Sequence, residues 1–93
     1  GCLIGNLGQE MAALPESFRT RLIATFEDWQ RRVAACLVEA QASGHLAMDV
    51  GTRRVAAFFW IGWEGAVLRA RLEHGPAPLE TFAALFFAGL QPR

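Results

Sequence analysis

The sequence predicts an all-α protein, and three observations support that prediction. Apolar residues recur every three or four positions along most of the chain, which is the period of an amphipathic helix. No stretch shows the sustained apolar–polar alternation of a half-buried strand. Proline and glycine divide the 93 residues into four helical segments. A chain of this length forms one domain, so we expect residues 1–93 to be a single helical unit.

The first two predicted helices are separated by a proline. The first covers roughly residues 2–13, and its apolar stripe consists of Leu3, Ile4, Leu7 and Met11. Pro15 ends this helix and begins the second, because the fixed φ of proline suits a first helical turn. The second helix is expected to end near Ser43, before Gly44. Its apolar positions are Phe18, Leu22, Phe26, Trp29, Val33, Leu37 and Ala40.

Two further helices follow a connector at residues 45–51. Asp49 or Thr52 is expected to cap the third helix, which continues to about His74 and is stopped by Gly75. Pro78 should occupy the first position of the fourth helix. The apolar face of that helix consists of Leu79, Phe82, Ala83, Phe86 and Leu90.

The third predicted helix is apolar nearly all round. One side carries Val55, Phe58, Gly62, Gly65, Ala66 and Arg69. Roughly the opposite side carries Trp60, Trp63, Glu64, Val67 and Arg71. A helix of this kind must be covered on both sides, and the other helices of the chain can cover only one. We therefore expect a partner outside the chain to cover the second side.

Composition narrows the function classes. Hydrophobic residues make up 53% of the chain, which is more than a domain this small can bury by itself. Nine Arg balance nine acidic residues, and there is no Lys. Because no basic stripe is present, we expect these residues alone not to bind DNA.

Location and cofactors follow from what the sequence does not show. The two cysteines are not spaced like a zinc site or a C-x-x-C motif. The longest apolar run, residues 55–63, is much shorter than the roughly 20 residues of a membrane span. We therefore expect a cytoplasmic protein without a metal, a cofactor or a membrane contact. Lacking Met at position 1, the chain is expected to be part of a longer protein.

Several short stretches, in order, resemble the C-terminal region of tetracycline-repressor (TetR) type regulators. They are GCL at 1–3, NL at 6–7, EAQASGHL at 39–46, WEGA at 63–66, LRAR at 68–71 and PLE at 78–80. The chain looks closest to the electrophile-sensing branch similar to the N-ethylmaleimide repressor. The resemblance implies a four-helix fragment of the C-terminal domain, preceded by a helix-turn-helix domain that this chain lacks. It also implies a homodimer in which the last two helices of each subunit form a four-helix bundle.

The resemblance further implies a small-molecule site. Cys2 matches the reactive thiol of the electrophile-sensing branch, although Arg71 replaces the Lys that some members place beside it; the alternative is a buried, inert thiol. Trp29, Trp60 and Trp63 either line an aromatic pocket or are ordinary core. Val67 lies on the same side of the third helix.

Glu64 is the charged candidate of this site. Either it recognises a polar or cationic effector, or it forms a structural ion pair with Arg71. Asn6 of the first helix is also expected within its reach. Cys36 is expected to pack as a small apolar residue.

The expected dimer interface lies on the other side of the third helix. Gly62 and Gly65 each cost helix propensity, roughly 1 kcal/mol relative to Ala, so we expect them to allow close approach of a second helix; incidental sequence drift is the alternative. Arg69 should lie at the rim or pair with an acid across the twofold axis. The full expected set is Phe58, Gly62, Gly65, Ala66, Arg69, Leu79, Phe82 and Phe86.

Two function hypotheses remain. The first is the effector-sensing and dimerising region of a repressor, whose DNA affinity is relieved by a small apolar or electrophilic molecule. The second is a structural helical interaction module without a ligand. A cavity ringed by Trp60, Glu64 and Cys2 would favour the first. No nucleophile, base and orienting group occur together in the sequence, so we do not expect an enzyme.

Overall fold

The computed structural model describes residues 13–90, which form three α-helices and no strand. They are α1 (Glu16–Ala42), α2 (Thr52–Glu73) and α3 (Ala77–Leu90). The all-α prediction is confirmed, and the second to fourth predicted helices correspond to α1, α2 and α3. Residues 2–12 of the first predicted helix lie outside the described residues.

Both ends of α1 lie where the sequence predicts them. The helix begins directly after Pro15 and ends one residue before Ser43. Gly44 has a left-handed φ of 79°. The amide of His45 donates to the carbonyl of Ala40 at 2.9 Å, and that of Gly44 donates to Gln41 at 3.1 Å. This pair of bonds is a Schellman motif, which satisfies carbonyls that the helix end leaves unpaired.

The connector after α1 is fixed by one side chain and one buried residue. Gln41 Nε2 donates to the carbonyls of Ala47 at 3.0 Å and Val50 at 3.1 Å. Leu46 is only 5% exposed. The predicted cap of α2 is wrong, because Gly51 occupies the cap position and no side chain bonds to the first turn.

The turn between α2 and α3 differs slightly from the prediction. His74, not Gly75, adopts the left-handed conformation, with φ 55°. The amide of Gly75 donates to the carbonyl of Ala70 at 3.1 Å. The last helix begins at Ala77, so Pro78 lies second in its first turn rather than first.

Replacing His74 with glycine should raise the free energy of unfolding by roughly 0.5–1 kcal/mol, because a left-handed conformation is costly for a residue with a Cβ. Chemical denaturation would measure the change. Gly44→Ala is the matched control, since it places a Cβ at the equivalent turn of α1 and should be destabilising. A loss of stability in His74→Gly would mean that the imidazole itself stabilises the end of α2.

Surface ion pairs on α1 join residues three and four positions apart. Asp28 contacts Arg32 Nε at 3.1 Å and Arg31 at 3.7 Å. Exposed pairs of this kind contribute little to stability.

The three helices are arranged with α2 in the middle. Both α1 and α3 pack on α2, and no Cα of α1 lies within 8 Å of one of α3. Apart from Leu46, the buried side chains of the described residues are Ala56 and Ala66 on α2. The radius of gyration is 15.8 Å, whereas a compact domain of this length has about 12 Å. Large apolar faces of the helices are therefore left open.

Candidate functional site

A continuous aromatic cluster runs from α1 through α2 to α3. Trp29 of α1 lies against Trp60 of α2, with ring centroids 4.9 Å apart. Phe59 is 5.3 Å from Trp60 and 6.0 Å from Trp63, with which it stacks. Phe59 also lies 5.1 Å from Phe86 of α3. The sequence did not single out Phe59, although it stands between two of the candidate faces of α2.

The three predicted tryptophans do not form one wall. Trp29 and Trp60 meet where α1 packs on α2. Trp63 instead packs toward α3, with its ring 6.4 Å from that of Phe82. The structure therefore brings two of the three together and assigns the third to the seam between α2 and α3.

Trp60 carries the one buried side-chain polar atom without a partner in residues 13–90. Its Nε1 is shielded from solvent, and no acceptor of the described chain reaches it. A buried donor left unpaired costs on the order of 1–3 kcal/mol, so such groups usually meet water, a ligand or another protein element. This N–H is the best hydrogen-bonding group near the tryptophan pair.

Glu64, Val67 and Arg71 follow Trp60 along one face of α2. Glu64 is exposed, and desolvation by its surroundings raises the pKa of its carboxyl above the usual value. The predicted ion pair with Arg71 is absent from the described part of the chain, where the ion pairs involve other residues. An ionised Glu64 can accept hydrogen bonds from a ligand or pair with a cationic group.

A shallow groove continues this face toward α3. Its volume is about 370 Å³, and it is lined by Val67, Ala70, Arg71, Gly75, Pro76 and Leu79. Leu79, expected in the dimer interface, thus lies beside Val67 and Arg71 of the expected ligand site. Neither this groove nor the two described below is lined by Trp60 or Glu64.

Four of the residues expected between subunits pack within the chain. A Cβ added to Gly62 would clash with the ring of Phe82, with Cδ2 at 2.9 Å. Ala66 is 6% exposed. Phe82 and Phe86 are half-buried and stack on each other at 5.7 Å. The close approach expected at Gly62 is therefore made by α3 of the same subunit.

The exposed apolar stripe of α2 is rotated about the helix axis relative to the predicted dimer face. It consists of Phe58 (59% exposed), Ile61 (72%), Gly65, Leu68 (50%) and Leu72 (65%). We call these five residues the open stripe. Their spacing of three, four, three and four places them on one line along the helix. Phe58 and Gly65 belong to the predicted interface set, whereas Ile61, Leu68 and Leu72 do not.

A groove of about 400 Å³ runs beside the open stripe. Its lining is Ala66, Arg69, Glu73, Ala77, Pro78, Thr81 and Phe82. Arg69 Nε contacts Glu73 at 3.2 Å, so its acidic partner belongs to the same helix. Arg69 therefore does not need an acidic residue across the twofold axis to balance its charge.

A third groove, of about 520 Å³, lies elsewhere and was not predicted. It is formed by α1 and the start of α2, and is lined by Glu27, Gln30, Arg31, Ala34, Ala35, Val38, Thr52 and Arg53. Its mixture of exposed charges and alkyl groups lacks the aromatic character of the Trp29–Trp60 seam. We therefore keep the contact between Trp29 and Trp60, which we call the tryptophan seam, as the candidate ligand site.

Of the two cysteines, only Cys36 lies among the described residues. Cys2 and Asn6 lie outside the described residues. Cys36 does not pack as an apolar residue, because it is exposed on α1.

Residues 13–90 contain no cluster of His, Cys, Asp and Glu that could hold a metal ion. No helix among them is long and apolar enough to cross a membrane.

These helices form an all-α domain whose described residues leave large apolar side chains exposed. The family described as "Tetracyclin repressor-like, C-terminal domain" matches residues 1–86. The chain belongs to this family of TetR-type C-terminal domains. Regulators of this family act as DNA-binding dimers that respond to small molecules.

Two curated relatives and one solved structure are similar to the chain. The transcriptional regulator AcuR of Cereibacter sphaeroides is 57% identical over 86 residues, covering 92% of this chain and 39% of that protein. The HTH-type transcriptional repressor DhaR of Mycobacterium sp. strain GP1 is 36% identical over 92 residues, covering 99% and 46%. The crystal structure of regulatory protein TetR from Rhodobacter sphaeroides has a TM-score of 0.80 and 57% identity, covering 92% of this chain and 46% of that one. The chain thus spans less than half the length of these proteins.

Proposed function

We propose that this chain is the effector-sensing and dimerising region of a transcriptional repressor whose DNA affinity is relieved by a small molecule. The observation that supports it is the position of α2, which carries the tryptophan seam on one side and the open stripe on another. A single helix then contacts both the effector and the second subunit. The regulator would act in the cytoplasm on DNA and would not be an enzyme.

The proposed effector is a small, largely apolar or electrophilic molecule with one hydrogen-bond acceptor. The rings of Trp29 and Trp60 offer apolar surface, and Trp60 Nε1 offers an unused donor. Glu64, Val67 and Arg71 extend the site along α2, and Cys2 and Asn6 of the first predicted helix remain proposed members. Trp63 lies further along the aromatic cluster and would act through Phe59.

Relief of repression would be a shift between two populations of the dimer. A ligand can change this balance only if it binds one state more tightly than the other. Since Trp60 and the open stripe belong to one continuous helix, a ligand that displaces Trp60 would also displace the stripe. The distance between the two DNA-binding domains would change as a result.

We expect 2-cyclohexenone, a small electrophile with a carbonyl acceptor, to bind at the tryptophan seam. It should shift the Trp60 indole N–H resonance in ¹H–¹⁵N spectra of the complete polypeptide, and Trp60→Phe should weaken binding about tenfold by removing the donor. Trp63→Phe makes the same change where α2 packs on α3, so it should weaken binding less than Trp60→Phe. Unchanged binding in both Trp60→Phe and Trp29→Phe would place the effector elsewhere.

The alternative is a structural helical module without a ligand. It is favoured by the close contact of Trp29 with Trp60, whose ring centroids lie 4.9 Å apart. A module of this kind would still dimerise through the open stripe but would give no ligand response. The titration above distinguishes the two proposals.

A further inference from the structure

Among the described residues, the aromatic contacts between α1 and α3 all pass through Phe59 of α2. Its ring lies 5.3 Å from that of Trp60, which in turn lies 4.9 Å from Trp29 of α1. On its other side, Phe59 lies 5.1 Å from Phe86 of α3 and 5.7 Å from Phe82. Without Phe59, the aromatic cluster of residues 13–90 would separate into one group at the tryptophan seam and another around α3.

The orientation of the Phe59 ring is fixed by its neighbours. It meets Trp60 edge to face, with 76° between the ring planes, and stacks on Trp63 with 15° between them. All four of its aromatic contacts fall within roughly 4.5–7 Å, the range in which such rings attract each other. Closely packed side chains transmit a displacement, because little free space is left to absorb it. A movement of the Trp60 ring therefore has to turn or displace Phe59.

The position of α3 depends on the same rings that Phe59 contacts. Phe82 lies so close to α2 that a Cβ added to Gly62 would overlap its ring. Phe82 also stacks on Phe86 at 5.7 Å, so a displacement of either ring affects the other. Since no Cα of α1 lies within 8 Å of one of α3, a change at α1 reaches α3 through α2 within the described residues. Phe59 is the side chain of α2 that contacts both the tryptophan seam and α3.

We propose that Phe59 is a positioning residue that couples the tryptophan seam to α3. This inference rests on the proposed function, in which an effector binds at the seam, and adds the route by which α3 responds. An effector that displaces Trp60 would turn the Phe59 ring against Phe82 and Phe86 and so shift α3 on α2. The backbone of α2 is the other route, and replacing the Phe59 ring while α2 stays helical separates the two.

A change in the seam that needs no ligand tests this coupling in the complete polypeptide. Trp29→Leu removes a ring from α1, and the ring resonances of Phe86, followed by NMR, report the effect on α3. Two rings lie between Trp29 and Phe86, so the direct ring-current effect of Trp29 is small. We expect the change in the Phe86 resonances to be at least about threefold smaller when Phe59→Leu is also present. Phe87→Leu is the matched control, because it removes a ring that contacts Phe86 at 5.5 Å without contacting the seam, and the response should keep its full size.

Further variants separate coupling from a merely structural role of Phe59. Phe59→Tyr keeps the ring and should keep the response of Phe86 to Trp29→Leu. An equal response in Phe59→Leu would overturn the proposal and assign the coupling to the backbone of α2, and so would the lack of any response in the original sequence. If circular dichroism shows that Phe59→Leu folds poorly, Phe59→Met replaces it, because its flexible side chain fills irregular space.

Titration with 2-cyclohexenone keeps this proposal distinct from the proposed function. We expect the compound to shift both the Trp60 indole N–H and the Phe86 resonances in the original sequence, and to shift the indole alone in Phe59→Leu. An indole that shifts while Phe86 stays unchanged in the original sequence would overturn the coupling. An indole that never shifts would refute the ligand site of the proposed function, whereas the role of Phe59 is then decided by the comparison with Trp29→Leu.

Discussion

Gly62→Ala should lower the free energy of unfolding by about 1–3 kcal/mol, although alanine is ordinarily the better helix former. The added methyl group would overlap the ring of Phe82. That ring cannot move freely, because it lies 5.7 Å from Phe59 and 5.7 Å from Phe86. The cost of overpacking therefore exceeds the gain in helix propensity.

Chemical denaturation of matched variants would measure this effect. Gly89→Ala is the control, since it makes the same change in α3 where a Cβ meets nothing within 4 Å. Phe82→Leu should recover part of the loss in the double variant, because the smaller side chain vacates the contested space. If Gly62→Ala were as stable as Gly89→Ala, the result would contradict the close packing of Phe82 on Gly62.

Ile61→Glu combined with Leu68→Glu should weaken the proposed dimer about 1,000-fold or more, which corresponds to roughly 4 kcal/mol. Both positions are exposed in the subunit and belong to the open stripe. Burying unpaired carboxylates between two subunits is expensive, whereas leaving them in water is not. Sedimentation equilibrium over a range of concentrations would give the dissociation constants.

The control for this variant adds a carboxylate away from the stripe. Met48 is 76% exposed in the connector between α1 and α2, so Met48→Glu should leave the dimer unchanged. Circular dichroism should show that all three helices persist in the double variant. A double variant that dimerises as tightly as the original chain would exclude the open stripe as the interface.

Helix positions could be predicted from sequence because their causes are local. Pro15 and Gly44 act through their own backbone preferences, and α1 accordingly begins and ends within one residue of the prediction. The turn after α2 was displaced by one residue because His74 accepts a left-handed φ next to a glycine. Where two neighbouring residues can both end a helix, the packing of the following segment decides which of them does.

The faces of α2 were harder to predict because nearly every side of that helix is apolar. Periodicity relates residues on one helix to each other, but it does not say which neighbour covers them. Gly62 and Gly65 looked equivalent in the sequence, and only the position of Phe82 separates them. Likewise, Trp63 turned toward α3 and Trp60 toward α1, a division of the aromatic residues that requires the tertiary arrangement.

The central position of α2 also bears on how the chain folds. The packing between described helices joins only consecutive ones, and most neighbouring residue pairs lie within the helices themselves. Chains with mostly local contacts fold fast, in microseconds to milliseconds. Because α1 and α3 do not contact each other, we expect each of them to dock on α2 whether or not the other has docked.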